Sequence, residues 1–208
     1  MKFILKLWGE HMAYFPLFVD LEGKVCMIIG DGPVAERKAG VLRKYGARVL
    51  VYGEGQWDFA HLKDAYLVIA ATNQREINEQ IAQYCREQQI MVNVADSKEE
   101  SAFLFPSVVK EGGISIGITT GGASPVIASD LRKRIEAAIP EGIGDIAQYM
   151  GEVRKQIVAM PVSKEIKKKI FNNIYESAKR RKGRLKKEEY HSILKQSLGE
   201  ENDNISTR

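Results

Sequence analysis

The stretch Lys24–Ala39, KVCMIIGDGPVAERKA, constrains this chain more than any other. Val25–Ile29 is an unbroken apolar run, as a strand buried on both faces of a parallel sheet requires. Gly30-Asp31-Gly32-Pro33-Val34-Ala35 follows as a G-x-G-x-x-A turn. Ala35, Ala39 and Leu42 then recur at helical spacing, which leaves Glu36, Arg37, Lys38 and Arg43 for the solvent side. Gly30 suits a tight turn, Gly32 lets the backbone approach a pyrophosphate, and Ala35 is small enough for helix to pack on strand. The helix start offers free N–H groups and the positive end of its dipole to phosphates. Pro33 stands where a missing N–H matters least. Gly30, Gly32, Pro33 and Val34 are therefore expected at a bound dinucleotide. The bland alternative is a turn that only joins a strand to a helix. Asp31 fits poorly, because a carboxylate inside a phosphate loop is unfavourable unless it turns to solvent.

The glycine turn alone is a weak signal, but its surroundings agree with it. Ala47–Tyr52 reads as a second strand ending at Gly53-Glu54-Gly55. Glu54, with Gly55 beside it, lies where an acid accepts hydrogen bonds from the adenosine ribose, which favours NAD over NADP because a 2′-phosphate would be repelled. Tyr66–Thr72 and Met91–Asp96 are further apolar runs, with a helix over Arg75–Gln88 between them that turns Ile77, Ile81 and Tyr84 inward. Asn73 follows the first of these runs, at a position that often walls a nucleotide pocket. Only thirteen residues separate Tyr52 from Tyr66. That is too few for the helix and third strand of a full Rossmann half. Because that strand is an edge in the order 3-2-1-4-5, its loss is tolerable. A truncated edge is expected, covered by a helical turn carrying Phe59 and Leu62.

The remainder of the chain changes character. Tyr14–Val19 is a short apolar and aromatic segment that can cover the sheet edge or a crevice rim. Phe103–Val109 and Ile114–Thr119 read as a hairpin turned at Glu111-Gly112-Gly113, outside the nucleotide core and free to pair with a second subunit. Ser124 and Pro125 are a good N-cap and first helical residue. Ile127, Leu131 and Ile135 mark one face of that helix. Amphipathic helices follow over Ile143–Ile157, over Ile166–Ala178 after a cap at Ser163, and over Leu185–Leu198. The division expected is an α/β Rossmann-type domain with a shortened edge over 13–107, a dimerisation hairpin and helix region over 108–142, and a helical domain over 143–199. A polar, disordered tail is expected over 200–208.

Composition adds bounds. The net charge of +4 is modest, yet KRRKGRLKK at Lys179–Lys187 is a dense basic block. Cys26 and Cys85 lack CxxC spacing, which fits reduced thiols and a cytoplasmic protein. No segment is apolar for long enough to span a membrane. Lys6 interrupts the apolar start MKFILKLWGEH and no cleavage site follows, so a signal peptide is not expected. Met12 can serve as an internal start, with Met1–His11 an upstream extension.

Taken with FPLFVDLEGKVCMIIGDGPVAERKAGVL, LVIAATN, VNVADSKEESAFLFPSVV and ITTGGASPVIASDLRKRIE, the chain resembles the precorrin-2 dehydrogenases of sirohaem synthesis. These include bifunctional dehydrogenase/ferrochelatases and the N-terminal module of sirohaem synthase. The resemblance covers about Tyr14–Tyr149. The run G-x-G-x-V-A-x-R-K, with N-x-x-D and G-G-x-S-P, carries it far more specifically than the glycine turn. It implies NAD-dependent oxidation of precorrin-2 to sirohydrochlorin, a homodimer, and a catalytic aspartate at Asp96. Bifunctional relatives use one pocket, so it also allows Asp96 a part in ferrous-ion insertion. Two departures stand out. Thr120 replaces the serine that precedes Gly-Gly in the sirohaem synthase version, and the 53–65 segment is short.

The residues admit plain readings beside these. Asp96, at the carboxyl end of a strand, can take a proton or hold a pyrrole N–H, or it can be a loop carboxylate capping the next turn. Thr120, Gly121, Gly122 and Ser124 can form a polar loop that meets substrate, or a tight turn and an N-cap. Asn93 can face the crevice or close a strand end. Arg132, Lys133, Arg134 and the 179–187 block can pair with the many carboxylates of precorrin-2 or be solvated helix faces. His11, His61 and His191 make no metal-ligand pattern, so no resident metal is expected. No aromatic interleaving supports nucleic-acid binding. The rival to an enzyme is a non-catalytic NAD-binding redox sensor that acts through its basic helical tail. Such a sensor has no need of an acid-bearing polar cleft built from NVAD and TTGGASP.

Overall fold

The computed structural model describes residues 14–205, with side chains up to residue 199. The readings placed on Met1–Met12 lie outside the described residues. The chain divides into two compact units. One runs to Pro106 and takes in Thr119–Ile127, and the other comprises Ser107–Ile118 and Ala128 onward.

The first unit is a parallel α/β sheet. Its strands are β1 (Val25–Ile29), β2 (Arg48–Tyr52), β3 (Leu67–Ala70) and β4 (Met91–Val94), in the order β2-β1-β3-β4 and parallel throughout. Helix α1 (Pro33–Arg43) connects β1 to β2, and α2 (Arg75–Glu87) connects β3 to β4. The two faces have separate cores. One packs Cys26, Ile28, Leu67 and Ile69 against Ala35, Ala39 and Leu42 of α1. The other packs Met27, Ile29, Val68 and Val92 against Ile81, Ala82 and Cys85 of α2. Alternation along each strand, with apolar residues on both faces, is the pattern of a sheet clad by helices.

Between β2 and β3 a 3-10 helix (Phe59–Asp64) takes the place of a full helix and strand. The Asp58 carboxylate accepts from His61 N at 3.1 Å, and His61 Nδ1 accepts from Asp58 N at 3.1 Å, a reciprocal cap. Leu62 is fully buried in the α2-side core. Phe59 stays partly exposed, against Trp57 and Tyr84. This turn covers only part of the truncated edge. A groove of about 480 Å³ remains along Arg48, Leu50 and Tyr52 of β2, with Asp58, His61 and Asp64 opposite.

In the second unit, β5 (Ser107–Glu111) and β6 (Ile114–Ile118) pair antiparallel with Glu111 opposite Ile114, so Gly112-Gly113 is a two-residue turn. Phe103–Pro106, read with this hairpin, is not strand. It packs Phe103 and Phe105 on the α1 face of the sheet instead. Helix α3 (Pro125–Ala138) sets Ala128 and Ile135 against Val109, Ile116 and Ile118, while Ile127 and Leu131 are exposed. Helices α4 (Ile143–Ala159) and α5 (Lys164–Arg181) share a core of Ile146, Val153, Ile157, Ile170, Ile174 and Ala178. Ser163 caps α5, accepting from Ile166 N at 3.3 Å. Helix α6 (Lys187–Ile205) runs on through most of the polar 200–208 stretch for which disorder was expected. Among the described residues no helix is long and apolar enough to cross a membrane.

Candidate functional site

The glycine turn joins β1 to α1. Gly30 has φ +119°, and a Cβ built on it would lie 2.2 Å from Ala71 O at the end of β3. Only glycine fits there. Gly32 is the N-cap of α1 with Pro33 next, and no side chain caps the helix. A Cβ on Gly32 would meet nothing within 4 Å. The first N–H groups of α1 have no partner within the helix, and the space beside the Gly32 Cα is open, as a phosphate cradle needs. Val34 is exposed beside it. Asp31 is exposed, and its Oδ2 lies 2.9 Å from where a Cβ of Gly53 would be, at the end of β2.

At the end of β2, Gly53 N donates to Gln56 Oε1 at 3.1 Å, and Gly55 turns the chain at φ +71°. Glu54 is exposed and accepts from Gln74 Nε2 at 2.7 Å. Asn73 lies nearby at the surface, between the end of β3 and Gln74. Asn78, on α2, was not among the residues singled out from the sequence. This buried α2 side chain accepts from Thr72 N at 3.1 Å and donates to Thr72 O at 3.0 Å, closing the end of β3.

Asp96 lies two residues beyond β4, exposed in a turn. Ala95 N donates to Ala70 O at 2.9 Å, so this turn starts from the end of β3, beside the glycine loop. The Ser101 hydroxyl holds the turn closed. It accepts from Val94 N at 2.9 Å and donates to Ser97 O at 2.7 Å. Asn93, read as facing the crevice, is 5% exposed. Its Oδ1 accepts from Lys38 Nζ at 2.5 Å and its Nδ2 donates to Phe103 O at 3.0 Å. Its amide is committed internally, which is the strand-closing alternative.

Lys38 overturns an expectation directly. Read as solvent-facing, it is 4% exposed. It falls on the buried stripe Ala35, Lys38, Ala39, Leu42 of α1, and its Nζ lies 5.5 Å from the centre of the Phe105 ring. Burial pushes its pKa down from 10.5 to about 8. Arg37 adds to the depression, and the Asp96 charge works against it.

The 120–124 loop is braced by its own hydroxyls. Thr120 Oγ1 accepts from Ser124 N at 3.0 Å and donates to Ser124 O at 3.1 Å. Ser124 Oγ accepts from Ile127 N at 3.3 Å, as an N-cap. Gly121 and Gly122 both have positive φ. A Cβ on Gly122 would lie 3.3 Å from Lys98 Cδ, and Lys98 Nζ sits 5.3 Å from the centre of the Tyr14 ring. The loop therefore abuts the segment that carries Asp96. Lys98 is a second cation there that sequence reasoning missed.

Several of the other cationic candidates are paired. Arg132 bonds Glu136 at 2.6 Å and Arg134 bonds Asp130 at 2.9 Å along exposed α3. In the basic block, Arg181 pairs with Glu189, Lys182 with Glu141 and Arg184 with Glu152. Cys26 and Cys85 are buried free thiols with pKa values pushed up to about 11, which makes them poor nucleophiles. Among the described residues no group of three His, Cys, Asp or Glu is placed to hold a metal ion.

A family model for NAD(P)-binding matches residues 17–107, and the model "Sirohaem biosynthesis protein central" matches 111–138. The chain is 32% identical to a siroheme synthase of Enterobacter sp. (strain 638) over 165 residues, covering 70% of this chain and 36% of that protein. It is 36% identical to siroheme synthase 2 of Yersinia enterocolitica over 165 residues, covering 70% of this chain and 35% of that protein. The chain thus spans little more than a third of these relatives. Its fold is that of a solved structure titled SirC, precorrin-2 dehydrogenase, with a TM-score of 0.63 and 21% identity, covering 89% of this chain and 100% of the other.

Proposed function

Starting from a chain that belongs to the sirohaem-biosynthesis family of precorrin-2 dehydrogenases and siroheme synthases, we propose that it oxidises precorrin-2 to sirohydrochlorin with NAD. One observation carries this reading. The open glycine cradle and the Asp96 turn are both docked on the end of β3, the cradle against Ala71 O and the turn through Ala95 N to Ala70 O. That is where open α/β sheets bind their ligands.

NAD, when bound, supplies the hydride acceptor. The rest falls to this chain. The first turn of α1 holds the pyrophosphate with its N–H groups and dipole. Glu54, released from Gln74, accepts from the ribose hydroxyls and repels a 2′-phosphate. Asp96 takes the proton that leaves with the hydride, or holds a pyrrole N–H. Thr120, Gly121, Gly122 and Ser124 form a wall of fixed shape against the macrocycle, and Lys98 offers a charge to its carboxylates. Asn93 serves from beneath. A homodimer is part of this reading, supported by Val126, Ile127 and Leu131, which are exposed along α3.

The test is anaerobic. Purified protein, precorrin-2 and NAD should yield NADH and sirohydrochlorin together, and ferrous ion added afterwards reports whether the same protein inserts it. NAD binding without NADH formation would sink the dehydrogenase. Light scattering of the eluting species in the same preparation would test the dimer.

A further inference from the structure

The side chains of Lys38, Asn78, Asn93 and Ser197 are the buried polar or charged ones among the described residues. Asn78 is accounted for by the end of β3 that it closes. Lys38 is not accounted for by the fold, since a leucine or methionine would complete the α1 stripe without burying a charge. Its Nζ reaches Asn93 Oδ1, which lies 55 residues away on β4. That bond fixes the orientation of the Asn93 amide, whose Nδ2 donates to Phe103 O at 3.0 Å and approaches Ser101 Oγ at 3.5 Å. Ser101 in turn joins Val94 to Ser97 on either side of Asp96. The network thus runs from α1 to the base of the turn that presents the carboxylate.

The groups facing the ammonium are few. Arg37 lies on its own helix, the Asn93 carbonyl on β4 and the Phe105 ring beneath, and the Asp96 charge acts from the turn. A carbonyl dipole and a ring face each favour a cation, and the nearby anion favours it further.

We propose that Lys38 is the positioning residue for Asp96: its ammonium locks Asn93 and through it the 94–103 turn, and it supplies the positive charge that faces the reacting carboxylate. This rests on the dehydrogenase reading only in naming Asp96 as the reacting group. The lock itself is a property of the free protein. When substrate excludes water from the turn, the attraction between the two charges strengthens, so the carboxylate is held best when it is needed.

The first measurement needs neither substrate nor cofactor. The side-chain carbonyl carbon of Asn93, labelled with 13C and assigned by its loss in Asn93→Ala, is followed by NMR against pH. In the native protein it should titrate with a midpoint of about 8. The titration should vanish in Lys38→Met, and in Asp96→Asn it should move to lower pH, because the anion that supports the ammonium is gone. A flat Asn93 signal from about pH 7 to about pH 10, or an unmoved midpoint in Asp96→Asn, would overturn the proposal. If Lys38→Met does not fold, Asp96→Asn decides alone.

Turnover gives a second readout. Lys38→Met should lower kcat for precorrin-2 oxidation by about 10- to 100-fold and leave the KM for NAD unchanged. Lys38→Arg should recover part of that loss, with any alkaline fall in rate displaced upward. Unchanged kcat in Lys38→Met would equally overturn the proposal. If the native protein makes no NADH, the function proposed above fails while the Asn93 titration still decides the pairing.

Discussion

A Cβ built on Gly30 would lie 2.2 Å from Ala71 O, while one built on Gly32, two residues on, would touch nothing within 4 Å. The two glycines of one motif therefore answer to different demands. Gly30→Ala meets backbone in a left-handed conformation and should cost on the order of 3 kcal/mol of stability, read as a lowered urea midpoint. Gly32→Val should unfold like the native protein, yet lose NAD binding in a fluorescence titration because its side chain fills the cradle. A Gly32→Val protein with native NAD affinity would mean that the pyrophosphate lies elsewhere.

Asp96 is exposed in a turn that other residues hold closed. Asp96→Ala should leave NAD affinity unchanged and lower turnover by at least about 100-fold, the scale of a lost general base. Turnover within a few-fold of native would assign the proton to solvent or to another group.

The Gln74 amide occupies the Glu54 carboxylate, the group proposed for the ribose. Glu54→Gln removes the repulsion of a 2′-phosphate and should narrow the preference for NAD over NADP by about 10-fold, a modest electrostatic term at an exposed site. Gln74→Ala frees the carboxylate and should tighten NAD binding slightly. Kd values for both cofactors with both variants check the pair, and an unchanged preference in Glu54→Gln would remove Glu54 from the pocket.

Lys38 gives stability a distinctive dependence on pH. Its pKa is about 8 in the folded chain against 10.5 for an ordinary lysine. Below about 8 the folded state carries the full cost of the buried charge. As pH rises from there toward 10.5, the unfolded chain holds the proton that the folded chain has lost, so stability rises. The total is on the order of 3 kcal/mol. Lys38→Met should lack this rise, although it also leaves Asn93 Oδ1 without its donor at every pH, at about 1–3 kcal/mol. Parallel urea midpoints of the two proteins from neutral to alkaline pH would contradict the burial described for this ammonium.

The sheet, its strand order and the truncated edge were legible because apolar runs, glycine punctuation and segment length are local properties. Lys38 was not, although its position was. Ala35, Lys38, Ala39 and Leu42 follow the i, i+3, i+4, i+7 spacing of a buried face, and residue type overrode that spacing. Asn78 repeats the pattern on α2, heading Ile81, Ala82 and Cys85. A polar side chain on an otherwise apolar stripe was the available signal in both cases. Its partner was not readable, since Asn93 and Thr72 come from other elements. The hydroxyls of Thr120 and Ser124 could be read either as ligand contacts or as braces, and the structure shows them bracing. Ile127 and Leu131 have the helical period of a buried face, but periodicity alone does not name what would cover them.

The loop from Thr120 to Ser124 has one more consequence. Two successive left-handed glycines are held by a hydroxyl that both accepts from and donates to the same residue. A ligand closing on such a loop finds it already ordered, so association on this side proceeds without the entropic penalty of freezing a mobile segment. In a calorimeter, loosening the brace with Thr120→Val should appear chiefly as a less favourable entropy of binding.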